Sequence, residues 1–72
     1  MPKLGMAPIR RKQLVEAAIA VIHEQGFASA TVARIARQAG ISAGMVHHYF
    51  KDKDDLLFAT MRHLLAELRA DA

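Results

Sequence analysis

Apolar residues recur at helical spacing through the first third of the chain. They fall at positions i, i+3, i+4, i+7 and i+8, occupied by Leu14, Ala17, Ala18, Val21 and Ile22. This spacing places them on one face of an amphipathic helix, which we predict over residues 9–25. Gly26 is expected to end that helix, and Phe27 is expected to return to the core as the apolar contact that often follows a glycine cap.

Two shorter apolar patterns follow, separated by a glycine. The second helix is predicted to begin after Thr31, whose hydroxyl caps it. Its apolar face consists of Val32, Ile35, Ala36 and Ala39. Gly40 stands where a helix ends in a left-handed residue, and Ser42 stands where the next helix needs a cap. Two short helices joined by a three-residue turn are typical of a helix-turn-helix.

The predicted third helix has a buried side and an open side. Val46 and Phe50 are four residues apart and share the buried side with Ala43. The residues that point away from it are Gly44, Met45, His47 and His48. Glycine disfavours a helix interior by about 1 kcal/mol. Gly44 is therefore either tolerated near a helix start, or used because its missing side chain lets the backbone approach another surface closely.

A fourth helix is predicted over residues 54–72, with Asp52 as its cap and Asp55 in its first turn. Its apolar set consists of Leu57, Phe58, Met61, Leu64, Leu65 and Leu68. Three small helices cannot cover so broad a set, so we expect a further domain or a second copy to cover it. The predicted fold is all-α, a small helical bundle with a central helix-turn-helix in which three homeodomain-like helices precede a connecting fourth.

Composition and charge narrow the class of protein. The 72 residues suffice for one small domain, and the lack of cysteine excludes disulfides and thiolate metal sites. No apolar run reaches the roughly 18 residues of a membrane span and no signal peptide is recognisable, so a cytoplasmic location is expected. Of the ten Lys and Arg residues, eight precede residue 54, together with three of the seven acids, and the net charge is +3. This distribution suits a polyanionic partner.

The N-terminal residues 1–8 are predicted to form a flexible arm, because they contain both prolines and a glycine without periodicity. Lys3 lies on this arm, and Arg10, Arg11 and Lys12 follow it closely. These four cations either track phosphates along a nucleic acid or form a solvated basic start to the first helix.

Catalysis and metal binding are not expected. Ser42 is already used as a helix cap, and no carboxylate is spaced to orient His47 or His48. Adjacent histidines point roughly 100° apart on a helix and cannot share one ion by themselves. We therefore predict no enzyme activity, no metal and no other cofactor. The alternative that stays open is a helical protein-interaction or membrane-surface module, suggested by the leucine-rich fourth helix and the basic arm.

From about Arg10 to Leu65 the sequence resembles the N-terminal DNA-binding domain of TetR-family transcriptional regulators. The most specific motifs are Gly40-Ile41-Ser42-Ala43-Gly44, Tyr49-Phe50-Lys51-Asp52-Lys53 and Leu56. The resemblance implies a repressor that binds a palindromic double-stranded DNA operator as a homodimer and that a small ligand releases. Residues 9–53 would form its DNA-binding domain, and residues 54–72 would lead to a missing C-terminal domain for ligand binding and dimerisation.

The resemblance also implies DNA contacts at Thr31, Val32, Arg34, Ser42, Ala43, Gly44, Met45, His47, His48, Tyr49 and Lys53. Thr31 would hold the DNA backbone, the third helix would face base edges, and Tyr49 and Lys53 would clamp flanking phosphates. The chain departs from the family at His47, where members usually have tyrosine. No Arg, Asn or Gln stands on the open side of the third helix, so reading of the bases would rest on the histidines, on methyl contacts and on DNA shape.

Three segments look closer still to one group within the family, the choline-responsive repressors of glycine betaine synthesis. They are residues 1–11, residues 40–50 and Met61-Arg62-His63-Leu64-Leu65. Choline is therefore the ligand that the resemblance implies. At family level, the ligand would move the fourth helix and change the separation of two recognition helices in the dimer.

Overall fold

The computed structural model describes residues 6–70, and the side chains of residues 8–69. Its four helices are α1 (Met6–Gln25), α2 (Val32–Ala39), α3 (Ala43–Val46) and α4 (Lys53–Ala70), with a 3-10 turn at Phe27–Ser29. Residues 6–70 contain no β-strand, and the predicted all-α fold is confirmed. Among the described helices, none is long and apolar enough to cross a membrane.

The first helix begins earlier than predicted, at Met6 rather than at residue 9. Pro8 lies within its first turn, where the N–H that proline lacks would have no intrahelical partner. The structure therefore corrects the predicted flexible arm at residues 6–8, which are helical. The rest of that prediction falls on residues 1–5, outside the described part of the chain.

One apolar core joins the four helices. Its buried members are Leu14, Val15, Ala17, Ala18, Val21, Ala30, Ile35, Ala36, Val46, Phe50 and Leu56. Helix α1 contributes the largest share, at the spacing that its sequence predicts, and Ile22 and Ile41 pack half-buried against this core. Thr60 is also buried, and its hydroxyl donates to the carbonyl oxygen of Leu56 at 2.8 Å. That bond satisfies its polar group inside the core.

The prediction for Phe27 is wrong, since its side chain is 61% exposed. Gly26 does end α1, but its φ of 91° comes with a ψ of 158°. This is an extended conformation, unlike the left-handed helical one that folds the next residue back onto the helix. The chain therefore leads away through the 3-10 turn, and Ala30 is the first residue after α1 to be fully buried.

Helix α4 packs on α1 through a face other than the predicted leucine face. Leu56 and Thr60 are buried and Ala59 is half-buried on this packed face. Of the predicted apolar set, Leu57 is half-buried and the exposed members are Phe58, Met61, Leu64, Leu65 and Leu68. We call these five residues the exposed face of α4. The prediction that three helices leave much of this apolar set uncovered agrees with the structure of residues 6–70.

Candidate nucleic-acid interface

The predicted caps begin both helices of the helix-turn-helix, and Gly40 forms the turn between them. The Thr31 hydroxyl accepts from the amide of Arg34 at 3.1 Å, and the Ser42 hydroxyl accepts from the amide of Met45 at 3.1 Å. Gly40 adopts φ 78° and ψ 25°, the left-handed conformation that residues with a side chain rarely take. The next amide, of Ile41, donates back to the carbonyl oxygen of Ala36 at 3.0 Å. The conformation of Gly40, the Ile41 bond and the Ser42 cap together set the direction in which α3 leaves α2.

Residues 43–50, which we call the third segment, consist of the single turn of α3 and a tighter winding after it. The amide of Tyr49 donates to the carbonyl oxygen of Val46 at 2.9 Å, three residues back. Val46 and Phe50 are buried as predicted, but Ala43, predicted on the same side, is exposed. The segment is anchored through its C-terminal end, so its first residues extend into solvent.

Five residues of the third segment form its exposed strip, namely Ala43, Gly44, Met45, His47 and His48. A Cβ built on Gly44 would meet no atom nearer than the Ser42 hydroxyl, at 4.0 Å. The backbone φ of Gly44 is not positive either. Neither steric space nor conformation in the fold therefore requires glycine at this position.

Three of the predicted contact residues are half-buried instead of open, namely Val32, Tyr49 and Lys53. Val32 and Tyr49 pack against the apolar core. The Tyr49 ring also lies edge-on to that of His48, with centroids 6.5 Å apart. Val32 and Tyr49 therefore use part of their surface for packing, and only the rest can contact a ligand. Thr31, Arg34 and Ser42, by contrast, are exposed.

An open cleft beside α2 carries two arginines. Its lining consists of Gln25, Ala33, Arg34, Arg37 and Gln38. The Arg34 guanidinium donates to the side-chain oxygen of Gln25, which ties α2 to the end of α1. Arg37 is exposed on the same cleft and is absent from the predicted contacts. Arg37 follows Arg34 by three residues, so the two lie on the same side of α2. This spacing could have predicted Arg37 as a further candidate contact.

Arg11 joins α1 to the end of the third segment. Its Nη1 donates to the carbonyl oxygen of Tyr49 at 2.6 Å. Its guanidinium carbon lies 4.5 Å from the centroid of the Phe50 ring. No sequence pattern links residues so far apart in the chain. The contact arises because α1 lies beside the end of the third segment in the folded protein.

Comparison with known proteins decides the family. The family described as "Bacterial regulatory proteins, tetR family" matches residues 14–68, well over half of the chain. The chain belongs to the TetR family. The two helices around Gly40 are the helix-turn-helix of a TetR-family regulator, and the resemblance drawn from their motifs is confirmed.

Its relatives include regulators with a narrower name. The HTH-type transcriptional regulator BetI of Klebsiella pneumoniae (strain 342) is 58% identical over 69 residues, which are 96% of this chain and 35% of the relative. BetI 2 of Chromohalobacter salexigens is 62% identical over 68 residues, 94% of this chain and 33% of the relative. This TetR-family chain thus spans about a third of the length of these relatives.

A solved structure shares the fold. The fatty acid degradation regulator FadR from Bacillus halodurans is similar with a TM-score of 0.72 and 31% sequence identity. The similarity covers 97% of this chain and 38% of the FadR chain.

Proposed function

We propose that this chain binds duplex DNA in a sequence-specific manner and represses transcription. The observation that carries the proposal is the exposed strip around Gly44. Glycine there weakens the helix without being required by the fold, which is understandable if the backbone must come close to a base-pair edge. Buried Val46 and Phe50 hold the strip from behind, as a recognition helix requires.

The DNA contacts divide between two helices. Thr31 and Arg34, at the start of α2, are exposed and suited to one DNA phosphate. On the strip, His47 and His48 donate or accept single hydrogen bonds, and Met45 and Ala43 contact thymine methyls. Because no bidentate base reader stands there, part of the specificity comes from DNA shape.

The exposed face of α4 supports a larger assembly. We propose that a C-terminal domain covers this face, dimerises the protein on a palindromic operator and binds the releasing ligand. The relatives are about three times as long as this chain, which leaves room for such a domain. The resemblance of residues 1–11 and 40–50 to choline-responsive repressors supports choline as the ligand. We propose the cytoplasm as the location of the protein.

The test of DNA binding is a salt titration on a duplex selected by the protein from a randomised library. For a dimer contacting about 6 to 10 phosphates, the log of the association constant should fall with log salt at a slope of about −5 to −9. The 72-residue chain alone should bind weakly, with about half that slope. Half-sites about 34 Å apart need a dimer to bridge them.

Binding of the protein to vesicles of the anionic lipid phosphatidylglycerol serves as the control. A slope near zero on DNA, or equal binding to vesicle and duplex, would contradict the proposal. It would favour a membrane-surface module instead.

The exposed face of α4 can be tested separately, by replacing Leu65 and Leu68 with glutamine. Both side chains are exposed, so the melting temperature of the 72-residue chain should change little. Non-specific self-association of the 72-residue chain at high concentration, measured by sedimentation velocity, should fall because the uncovered apolar patch is broken. Leu56→Gln is the matched control. It buries an amide in the core and should unfold the chain.

A further inference from the structure

Arg11 makes two contacts with the residues that end the third segment, although α1 itself contributes no residue to the exposed strip. One is the hydrogen bond that Nη1 donates to the carbonyl oxygen of Tyr49, at 2.6 Å. Tyr49 lies 38 residues from Arg11 in the sequence. The other is the stacking of the guanidinium over the Phe50 ring, at 4.5 Å. Phe50 is 2% exposed, so the ring is a fixed platform.

Both contacts suit a planar cation. Carbonyl groups at the end of a helical segment have no partner within it, and a basic side chain satisfies them well. A guanidinium offers donors at its edge and a flat face for an aromatic ring, whereas an ammonium group is a compact point charge. Arg11 thus uses its edge on Tyr49 and its face on Phe50.

We propose that Arg11 is a positioning residue that fixes the end of the third segment and so sets how the exposed strip meets DNA. The inference rests on the proposed DNA binding. Its effect passes through the backbone from Tyr49 and Phe50 to His47 and His48. It adds a third role to the two interpretations left open for Arg11, phosphate tracking and a solvated start of α1, because one guanidinium N–H and one guanidinium face are engaged within the protein.

Lys12 provides a matched control. It is the next residue along α1, it is exposed, and within the described residues its side chain makes no hydrogen bond to the third segment. Arg11→Gln and Lys12→Gln each remove one positive charge from the same end of α1. Any difference between them measures the contacts of Arg11 beyond its charge.

The binding test compares the selected duplex with a scrambled duplex of the same composition. Arg11→Gln should weaken binding to the selected duplex at least about tenfold more than Lys12→Gln does, the size expected for loss of a charge-assisted hydrogen bond. The two variants should lose the same amount of affinity for the scrambled duplex, since each lacks one positive charge. Equal losses on both duplexes would overturn the proposal and leave Arg11 as a charge alone.

A charge-preserving variant sharpens the test. Arg11→Lys keeps the positive charge but has no flat guanidinium face, so selected-duplex binding should stay weakened. Full recovery by lysine would overturn the positioning role. So would unfolding of both Arg11 variants in thermal melts, because it would make Arg11 a stability residue.

The free protein supplies a readout independent of DNA. In ¹H–¹⁵N spectra, Arg11→Gln should shift the amide signals of residues 47–51, and Lys12→Gln should leave them in place. Unchanged signals in Arg11→Gln would contradict the inference even if DNA binding stands. If the unaltered chain binds no duplex, the proposed function fails while the spectra still decide whether Arg11 fixes this segment.

Discussion

Replacing Gly44 with leucine should weaken binding to the selected duplex about a hundredfold or more without lowering the melting temperature. The two effects separate because a side chain at Gly44 meets open space within the protein. Removing glycine from a helix favours folding by up to about 1 kcal/mol. On DNA, the same side chain holds the strip away from the base edges, and each lost base-pair contact costs roughly 1–3 kcal/mol. Fluorescence anisotropy and thermal melting by circular dichroism measure the two quantities.

Ala66→Leu serves as the control for size and apolarity. Ala66 is exposed on α4, outside the helix-turn-helix. This variant should leave both the affinity and the melting temperature nearly unchanged. If Gly44→Leu lowered stability as much as binding, Gly44 would be a folding residue and the close-approach argument would fail.

Replacing Phe50 with alanine should lower the free energy of unfolding by about 3–5 kcal/mol, the usual loss for a buried phenylalanine. Phe50 is 2% exposed in the core and also carries Arg11 on its ring. For a domain of this size, 1 kcal/mol corresponds to about 4–8 °C in melting temperature, so a drop of more than about 12 °C is expected. Urea unfolding followed by circular dichroism gives the free energy.

Phe58→Ala makes the same chemical change on the surface. Phe58 is 62% exposed, and the variant should stay within about 0.5 kcal/mol of the unaltered chain. Similar losses for both phenylalanines would show that Phe50 does not anchor the segment. DNA binding should vanish with folding in Phe50→Ala, in contrast to the selective loss expected at Gly44.

These two predictions separate the inner and outer sides of one short segment. The inner side, Val46 and Phe50, belongs to the core, so substitutions there should change the free energy of unfolding. The outer side is exposed, so substitutions there should change the affinity for DNA. The segment is a single helical turn followed by tighter winding, so it has little rigidity of its own. Its shape must come from the core behind it and from the contacts of Arg11 at its end.

Local signals were sufficient for the helix-turn-helix. The apolar spacing of α1, the caps at Thr31 and Ser42 and the left-handed Gly40 were predicted, and the structure confirms them. Each of these depends on residues within one or two helical turns. The same kind of reasoning failed at Phe27, because the conformation of Gly26 carries the chain away from α1 instead of folding it back.

Predictions between helices were less complete. The apolar pattern of α4 drew attention to its leucines, whereas α4 packs on α1 through Leu56, Ala59 and Thr60. This helix is apolar on more than one side, so spacing alone could not choose the face that meets α1. Among the predicted DNA contacts, Val32, Tyr49 and Lys53 are half-buried, and Val32 and Tyr49 pack against the core, which the sequence pattern did not predict.

The sequence by itself determined the class of fold, the two capped helices with their glycine turn, and membership of the TetR family, because these depend on short-range patterns. Tertiary structure alone decided which face of α4 is buried, where Phe27 points and that Arg11 supports Tyr49 and Phe50. These last features join residues far apart in the chain. They depend on how the helices pack against one another, which no local spacing records.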